Sequence, residues 1–262
     1  MNADLIKSYL YLHAVLPQLT TIAARDEQAR AAIDGRAASI QLRTVRGPRA
    51  RLHANGSGLS FARELRPLPS LGLLLPSPAV AVRMFGGGRA TPLPWWGLWR
   101  PGIIGLLRVL TGRLAFYLTA SKEELERAAC FDAAVGLRLA VMVYAIGVLT
   151  EHLPEARQAA ADAPEGVAEF RFADGSAGSV RLSCPRGGPM RAFLVDGGVT
   201  ESQAAPANLI VEFQDTRTAL GVLSGEWDIW LAIGQAQIKI RGHFPLAQTI
   251  LRIMGRVGQF LG

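Results

Sequence analysis

The chain has 262 residues, half of them apolar, so it can enclose a substantial core in one large domain or two modest ones. Its two cysteines, Cys130 and Cys184, form no metal-like or redox-like cluster, and its four histidines, His13, His53, His152 and His243, are scattered, which leaves no metal-ligand spacing and points to no cofactor. The start, Met1-Asn-Ala-Asp4, lacks the basic head and small-residue cleavage site of a secretion signal, so a cytoplasmic location is expected.

Leu5, Ile6, Tyr9, Leu12 and Leu16 recur at helical spacing, and Pro17 marks a kink or break. A second helix is predicted over about residues 19–33, closed at Asp34-Gly35, where glycine supplies a left-handed terminal position. Residues 38–43 and 50–54 read as strands joined by a turn at Arg46-Gly-Pro48, and Asn55-Gly56 signals a tight turn. The segment 67–78, with Leu71, Leu73, Leu74 and Leu75, is an apolar strand bounded by prolines. Residues 80–85 form a short helix or extended segment before the turn Gly86-Gly-Gly88. Trp95, Trp96 and Trp99 then crowd into a proline-rich stretch, and a helix beginning near Pro101 carries Ile103, Ile104, Leu106, Leu107, Val109, Leu110 and Leu114.

Ser121-Lys-Glu-Glu124 has the spacing of a capping box and opens a second helical region. Its most apolar stretch, residues 131–149, is interrupted by Asp132 and Arg138, each costing roughly 2.5–3.5 kcal/mol at mid-membrane, so a buried or membrane-touching helix is expected rather than a span. After a soft segment at 156–164, residues 166–172 alternate as a strand, Asp174-Gly175 turns the chain, and residues 178–183 and 189–195 continue with alternating apolar positions. Leu209 to Phe213 reads as a strand, followed by a short helix and a turn at Ser224-Gly-Glu226. A second apolar run, residues 227–240, is taken as a strand or pair of strands, with period two clearest around 237–241. Pro245 is tolerated in the first turn of a closing helix that runs to Leu261.

The order strand, short helix, glycine turn, apolar run and closing helix occurs twice, at a spacing near 140 residues. Leu73 to Leu75 answers Val211 to Phe213, Gly87 answers Gly225, and Leu107-Arg-Val-Leu-Thr-Gly-Arg113 echoes Leu251-Arg-Ile-Met-Gly-Arg256. Residues 35–42 answer 166–172. The second copy resembles the sterol carrier protein type 2-like lipid-binding domains through the strand Leu209 to Phe213, the segment 216–223 closed by Ser224-Gly225, and 235–242 leading into Pro245-Leu-Ala-Gln248. The resemblance implies an α+β fold of two units, 1–120 and 121–262. Each is a curved, mainly antiparallel sheet covered by helices around an apolar cavity for sterols or acyl chains. The first copy departs from the pattern at 92–101, where proline and tryptophan replace the strands expected after the glycine turn. The short connection from Tyr117 to Lys122 favours units packed together over beads on a linker.

Charge separates the copies: residues 1–120 carry 15 Lys and Arg against 5 Asp and Glu, and residues 121–262 carry 13 against 16. Arg43, Arg46, Arg49 and Arg51 form the centre of the basic group, with Arg63 and Arg66 beyond. On the strand reading Arg49 and Arg51 share a face, an arrangement suited to an anionic membrane surface or to plain solubility. No zinc finger, phosphate loop or stacking platform accompanies them, so nucleic acid is not the expected partner. Trp95, Trp96 and Trp99, with Leu93, Leu98, Ile103 and Ile104, fit the mouth of a lipid tunnel, a membrane anchor, a protein-partner surface, or packing between the copies.

Catalysis has little material. Gly56-Ser-Gly58 is no nucleophile elbow, and Asp196, Glu201, Glu212 and His243 are the nearest titratable groups for an enzyme acting on a lipid-like substrate. A carrier needs shape and apolar walls, since an acyl chain is held by about 0.8 kcal/mol per buried methylene. The expected walls are sheet residues Ile40 and Leu42 in the first copy and Leu209, Val211, Phe213, Ile229, Leu231, Ile238 and Ile240 in the second. The covering helices would add Ile103, Leu107, Leu110, Leu246, Ile250, Leu251 and Met254. Non-catalytic binding or transfer of a fatty acyl lipid, sterol or isoprenoid is the function this pattern favours, ahead of a scaffold that uses the same fold without ligand.

Overall fold

A computed structural model describes residues 2–97, 99–195 and 205–261. Leu98, Asp196 and Glu201 lie outside the described residues. The chain divides into two compact units, Met1–Phe116 and Tyr117–Gly262, each built on a five-stranded sheet. The fold class is α+β.

The first unit opens with α1 (Ala3–Leu10), capped by the Asn2 side chain, which accepts from Asp4 N at 3.0 Å. Approaching Pro17 the helix widens into a π-turn, Tyr11–Val15, and then tightens into a 3-10 turn, Leu16–Gln18. This is how the missing proline N–H is absorbed without breaking the run. Leu10, Leu12, Leu16 and Leu19 are fully buried along it, each stabilising the unit by about 1.5–3 kcal/mol. The helix expected over 19–33 is instead two helices, α2 (Leu19–Arg25) and α3 (Glu27–Ile33). The divider is Asp26, extended at φ −92°, whose carboxylate accepts from Ala29 N at 2.8 Å and pairs with Arg113 at 2.5 Å. An Asp side chain competes with helical backbone bonding and favours the cap position.

The strands are β1 (Ala37–Thr44), β2 (Arg49–Asn55), β3 (Leu59–Ala62), β4 (Leu71–Leu75) and β5 (Leu93–Trp96), with α4 (Pro78–Phe85) between the last two and α5 (Pro101–Thr119) after them. Their order is β3-β2-β1-β4-β5, antiparallel except for the parallel pair β1 and β4. The stretch 92–101 thus keeps a strand where the sequence suggested a departure, although a bulge between Gly72 and Leu73 shifts its register. Strand β3 carried no signal beyond the Asn55-Gly56 turn.

The second unit has α6 (Lys122–Arg127), α7 (Phe131–His152), α8 (Pro154–Ala161), β6 (Gly166–Phe172), β7 (Val180–Cys184), β8 (Arg191–Leu194), β9 (Leu209–Phe213), α9 (Thr216–Leu223), α10 (Ile229–Gly234), β10 (Ile238–Gly242) and α11 (Phe244–Leu261). The Ser121 capping box is present in full. The sheet order β10-β9-β6-β7-β8, again with one parallel pair, β6 and β9, repeats the first sheet strand for strand.

The correspondence reaches single residues. Ser70 Oγ accepts from Ser39 N at 3.1 Å, and Asn208 Oδ1 accepts from Val167 N at 2.8 Å, each fastening the parallel pair at its start. Ser77 and Asp215 cap α4 and α9 in the same way, and Gly87 and Gly225 follow those helices at φ +79° and +76°. The pair Ile40 and Leu71 of the first sheet corresponds to Ala168 and Leu209 of the second, so the offset grows from 128 to 138 residues as the second sheet's connections lengthen.

Two further expectations change. The 156–164 segment begins inside α8. Ile229 and Leu231 sit on α10, not on a strand: Asp228 caps that helix by accepting from Trp230 N and Leu231 N, and a capped turn outcompetes the extended form of this apolar run. Helix α7, long and apolar enough to cross a membrane, is largely buried and packs on α8, α9, α11, β7 and β8. Its charges are used within the fold: Asp132 accepts from Thr216 Oγ1 at 2.6 Å, and Arg138 donates to the carbonyls of Tyr117 and Ala120 at 3.1 and 2.9 Å.

Candidate functional site

Among the described residues of the first unit, exposed apolar side chains gather on β5, on the turn after it and on α5. Leu93, Trp95, Trp96 and Trp99 are exposed, Trp99 by 65%, and Trp96 meets Trp99 edge to face at 5.2 Å. Trp95 lies across Gly72, where any added Cβ would meet its indole at 2.4 Å, so the glycine makes room for the ring against the sheet. Helix α5 buries one stripe, Leu106, Leu110, Leu114 and Tyr117, and is held by Arg113 on Asp26 and by Arg36 Nη1 donating to the Gly102 carbonyl at 3.5 Å. The rest of the helix is mainly apolar, interrupted by the exposed Arg108 and the half-buried Thr111. Ile104 and Val109 are exposed, Ile103 and Leu107 half-buried, and only 22% of its membrane-length window is covered.

Its counterpart α11 differs. Leu246, Ala247, Ile250, Ile253 and Val257 pack inward, while Gln248, Arg252, Arg256 and Gln259 face water, as a surface helix of a globular domain requires. The second unit carries its own exposed apolar side chains, Trp227, Trp230 and Leu231, but between α9 and β10, before its edge strand and not on it.

The expected walls are mostly core. Ile40, Leu42, Leu110, Leu209, Val211, Phe213, Ile238, Leu246 and Ile250 are buried; Ile229, Ile240, Leu251 and Met254 are half-buried. Space exists at the rim. A cleft of about 240 Å³ lies between the start of β1 and the start of α5, lined by Ala37, Ala38, Ile103 and Leu106 with Arg36 and Arg100 beside them. In the second unit a cleft of about 210 Å³ is bounded by Trp227, Leu231 and Ala232. Arg36 and Arg100 escaped the sequence reading, since the two lie 64 positions apart and only α5's docking brings them together.

Arg43, Arg46 and Arg49 are exposed and Arg51 half-buried, with Arg43 directly opposite Arg49 and Arg46 at the turn tip at φ +55°. Among the described residues, no three His, Cys, Asp or Glu side chains converge as metal ligands. Glu212, considered above for chemistry, is committed to Arg171 at 2.7 Å and Arg241 at 3.3 Å, which hold its carboxyl below the usual range. Burial pushes the Cys184 thiol up to about 12, so at neutral pH it stays protonated and unreactive.

No protein-family model and no curated protein matches the sequence. Among solved structures, sterol carrier protein domain 2 of Helicoverpa armigera is similar at 15% identity and TM-score 0.35, over 47% of this chain and 89% of that one. A conserved hypothetical protein of Thermus thermophilus is similar at 22% identity and TM-score 0.31, over 50% and 85%. Scores this low do not establish a common fold, and the architecture rests on this chain's own strand order and register.

Proposed function

We propose that the protein binds a hydrophobic molecule, a fatty acyl lipid, sterol or isoprenoid, and carries it without catalysing a reaction on it. The supporting observation is α5, a 19-residue, mainly apolar helix whose outer face, with Ile104, Val109 and one charge, Arg108, is left in water, continued by the exposed tryptophans of β5 and its following turn. A helix of this kind is ordinarily buried or covered by lipid, and the cost of exposing it is removed when an apolar occupant lies along it. The 240 Å³ cleft beside Ile103 and Leu106 is smaller than the usual 300–1,000 Å³ of a complete ligand site. It takes part of the ligand, and the face of Ile104, Leu107 and Val109 takes the rest. Arg36 and Arg100 at the cleft suit an acidic head group.

Native mass spectrometry of gently purified protein, followed by organic extraction, tests this reading. The expected result is a stoichiometric lipid adduct and uptake of a labelled acyl chain that falls about tenfold in the Trp95→Ala, Trp99→Ala variant. Absence of both adduct and uptake overturns it and leaves the tryptophan surface to a protein partner.

A further inference from the structure

Alternation along the strands sends every second side chain to the outer face of each sheet, away from the apolar core, and register arranges these side chains in rows. In the second sheet one row reads Arg241, Ile210, Glu169, Arg181, and the next Lys239, Glu212, Arg171. Each arginine there has a carboxylate: Arg181 Nε donates to Glu169 at 2.8 Å, Arg171 to Glu212 at 2.7 Å, and Arg241 to Glu212 at 3.3 Å.

The first sheet repeats the rows with Trp96, Gly72, Gln41, Arg51 and with Leu93, Leu74, Arg43, Arg49. Arg51 stands where Arg181 stands and Arg43 where Arg171 stands, but Gln41 replaces Glu169 and Leu74 replaces Glu212. Arg43, Arg49 and Arg51 have no carboxylate partner among the described residues, and the Nε of Arg51 is buried without a hydrogen-bond acceptor. Gln41 itself is occupied, donating from Nε2 to the Arg66 carbonyl at 2.6 Å, which draws the 63–70 loop across this face. That loop carries Arg63, Arg66, one acid, Glu64, and Leu68, 77% exposed and held at φ +56°. Trp95 lies on the same face over Gly72.

We propose that the outer face of the first sheet docks on the anionic phospholipid headgroups of a bilayer, with phosphates beside Arg43, Arg49 and Arg51 where the second sheet has its own carboxylates. Charge complementarity selects an anion, and the exposed Leu68 on the loop bonded to Gln41 and Trp95 over Gly72 select a bilayer over nucleic acid, because an apolar prong and an indole gain from the headgroup boundary and nothing from a phosphate backbone in water. The inference rests on the charge pattern and stands whether or not the protein carries a lipid.

The test is sedimentation of the full chain with vesicles of phosphatidylcholine alone and of phosphatidylcholine with phosphatidylglycerol. Binding should require the anionic lipid and weaken with salt. Leu74→Glu, which returns the carboxylate that Glu212 supplies in the second sheet while keeping every arginine, should lower it about tenfold. Arg43→Gln with Arg49→Gln should do the same and serves if the first variant misfolds; Arg252→Gln with Arg256→Gln on α11 should leave binding within twofold. Equal binding to neutral vesicles, salt-independent binding, or indifference to both first-sheet variants overturns the proposal. So does displacement of anionic vesicles by millimolar inorganic phosphate, which would assign an isolated-phosphate site, or tighter binding to an RNA duplex. Acyl-chain uptake measured without vesicles should be unchanged in the first-sheet variants, so failure of docking and failure of the cargo reading register in different assays.

Discussion

Gly97 and Gly242 occupy the same point in the two units, the exit from the last strand, at φ +84° and +99°. A Cβ there would lie 2.0 Å from the Ser70 carbonyl oxygen and 2.1 Å from that of Asn208. Gly225 is also left-handed, at φ +76°, yet nothing lies within 4 Å of its missing Cβ. The three positions separate strain from clash. Gly225→Ala should cost about 1–2 kcal/mol, the left-handed penalty of an L side chain alone. Gly242→Ala adds a backbone collision that only movement of the β9 entry can relieve, and should cost roughly 3 kcal/mol or more. Urea midpoints of the two variants measure the difference, and equal losses would mean that the β9 entry yields freely.

At the scale of the element, α5 and α11 close equivalent sheets with opposite outer faces. Because Ile104 and Val109 are about 40% exposed, replacing both with lysine should change the stability of the first unit by no more than about 0.5 kcal/mol. The same change should reduce acyl-chain uptake several-fold, since it places two charges on the face where a ligand would lie. A urea melt beside the uptake assay decides the matter: a large stability loss with unchanged uptake would make these side chains core. The sequence shows α5 as apolar and long but is silent on its coverage, because Ile103, Leu106, Leu107 and Leu110 read alike until the fold buries some of them.

The two sheets share one topology and differ in how charge is neutralised, so the units should respond differently to acid. Hydrogen bonding from Arg171, with the nearby Arg241, lowers the Glu212 carboxyl below its ordinary value. A folded-state pKa below the unfolded one means stabilisation that is complete above the ordinary glutamate value of about 4.3 and is lost as pH falls through the lower folded value. The Tm of the second unit should therefore fall from pH 5 toward pH 3. Glu212→Gln should be less stable at neutral pH and show a shallower fall. Calorimetry across that range checks it, and parallel acid limbs for both proteins would show that the outer-face pairs contribute nothing.

Periodicity and punctuation alone were enough to read most strands, the Ser121 capping box, the repeat and its match of Leu73 to Leu75 with Val211 to Phe213. These are local signals, set by alternation, capping chemistry and glycine turns, and they survive folding because tertiary packing reinforces them. The break at Asp26 and the helix at 229–234 were decided otherwise: one needed Arg113 from 87 positions away, the other a cap that outweighed an ambiguous apolar run. The same holds for the site. Composition revealed an arginine group and a tryptophan group. Only the sheet register set Arg43 and Arg51 against Gln41 and Leu74 rather than glutamates, and only the docking of α5 left its outer face in water, because partnership and exposure belong to neighbours in space.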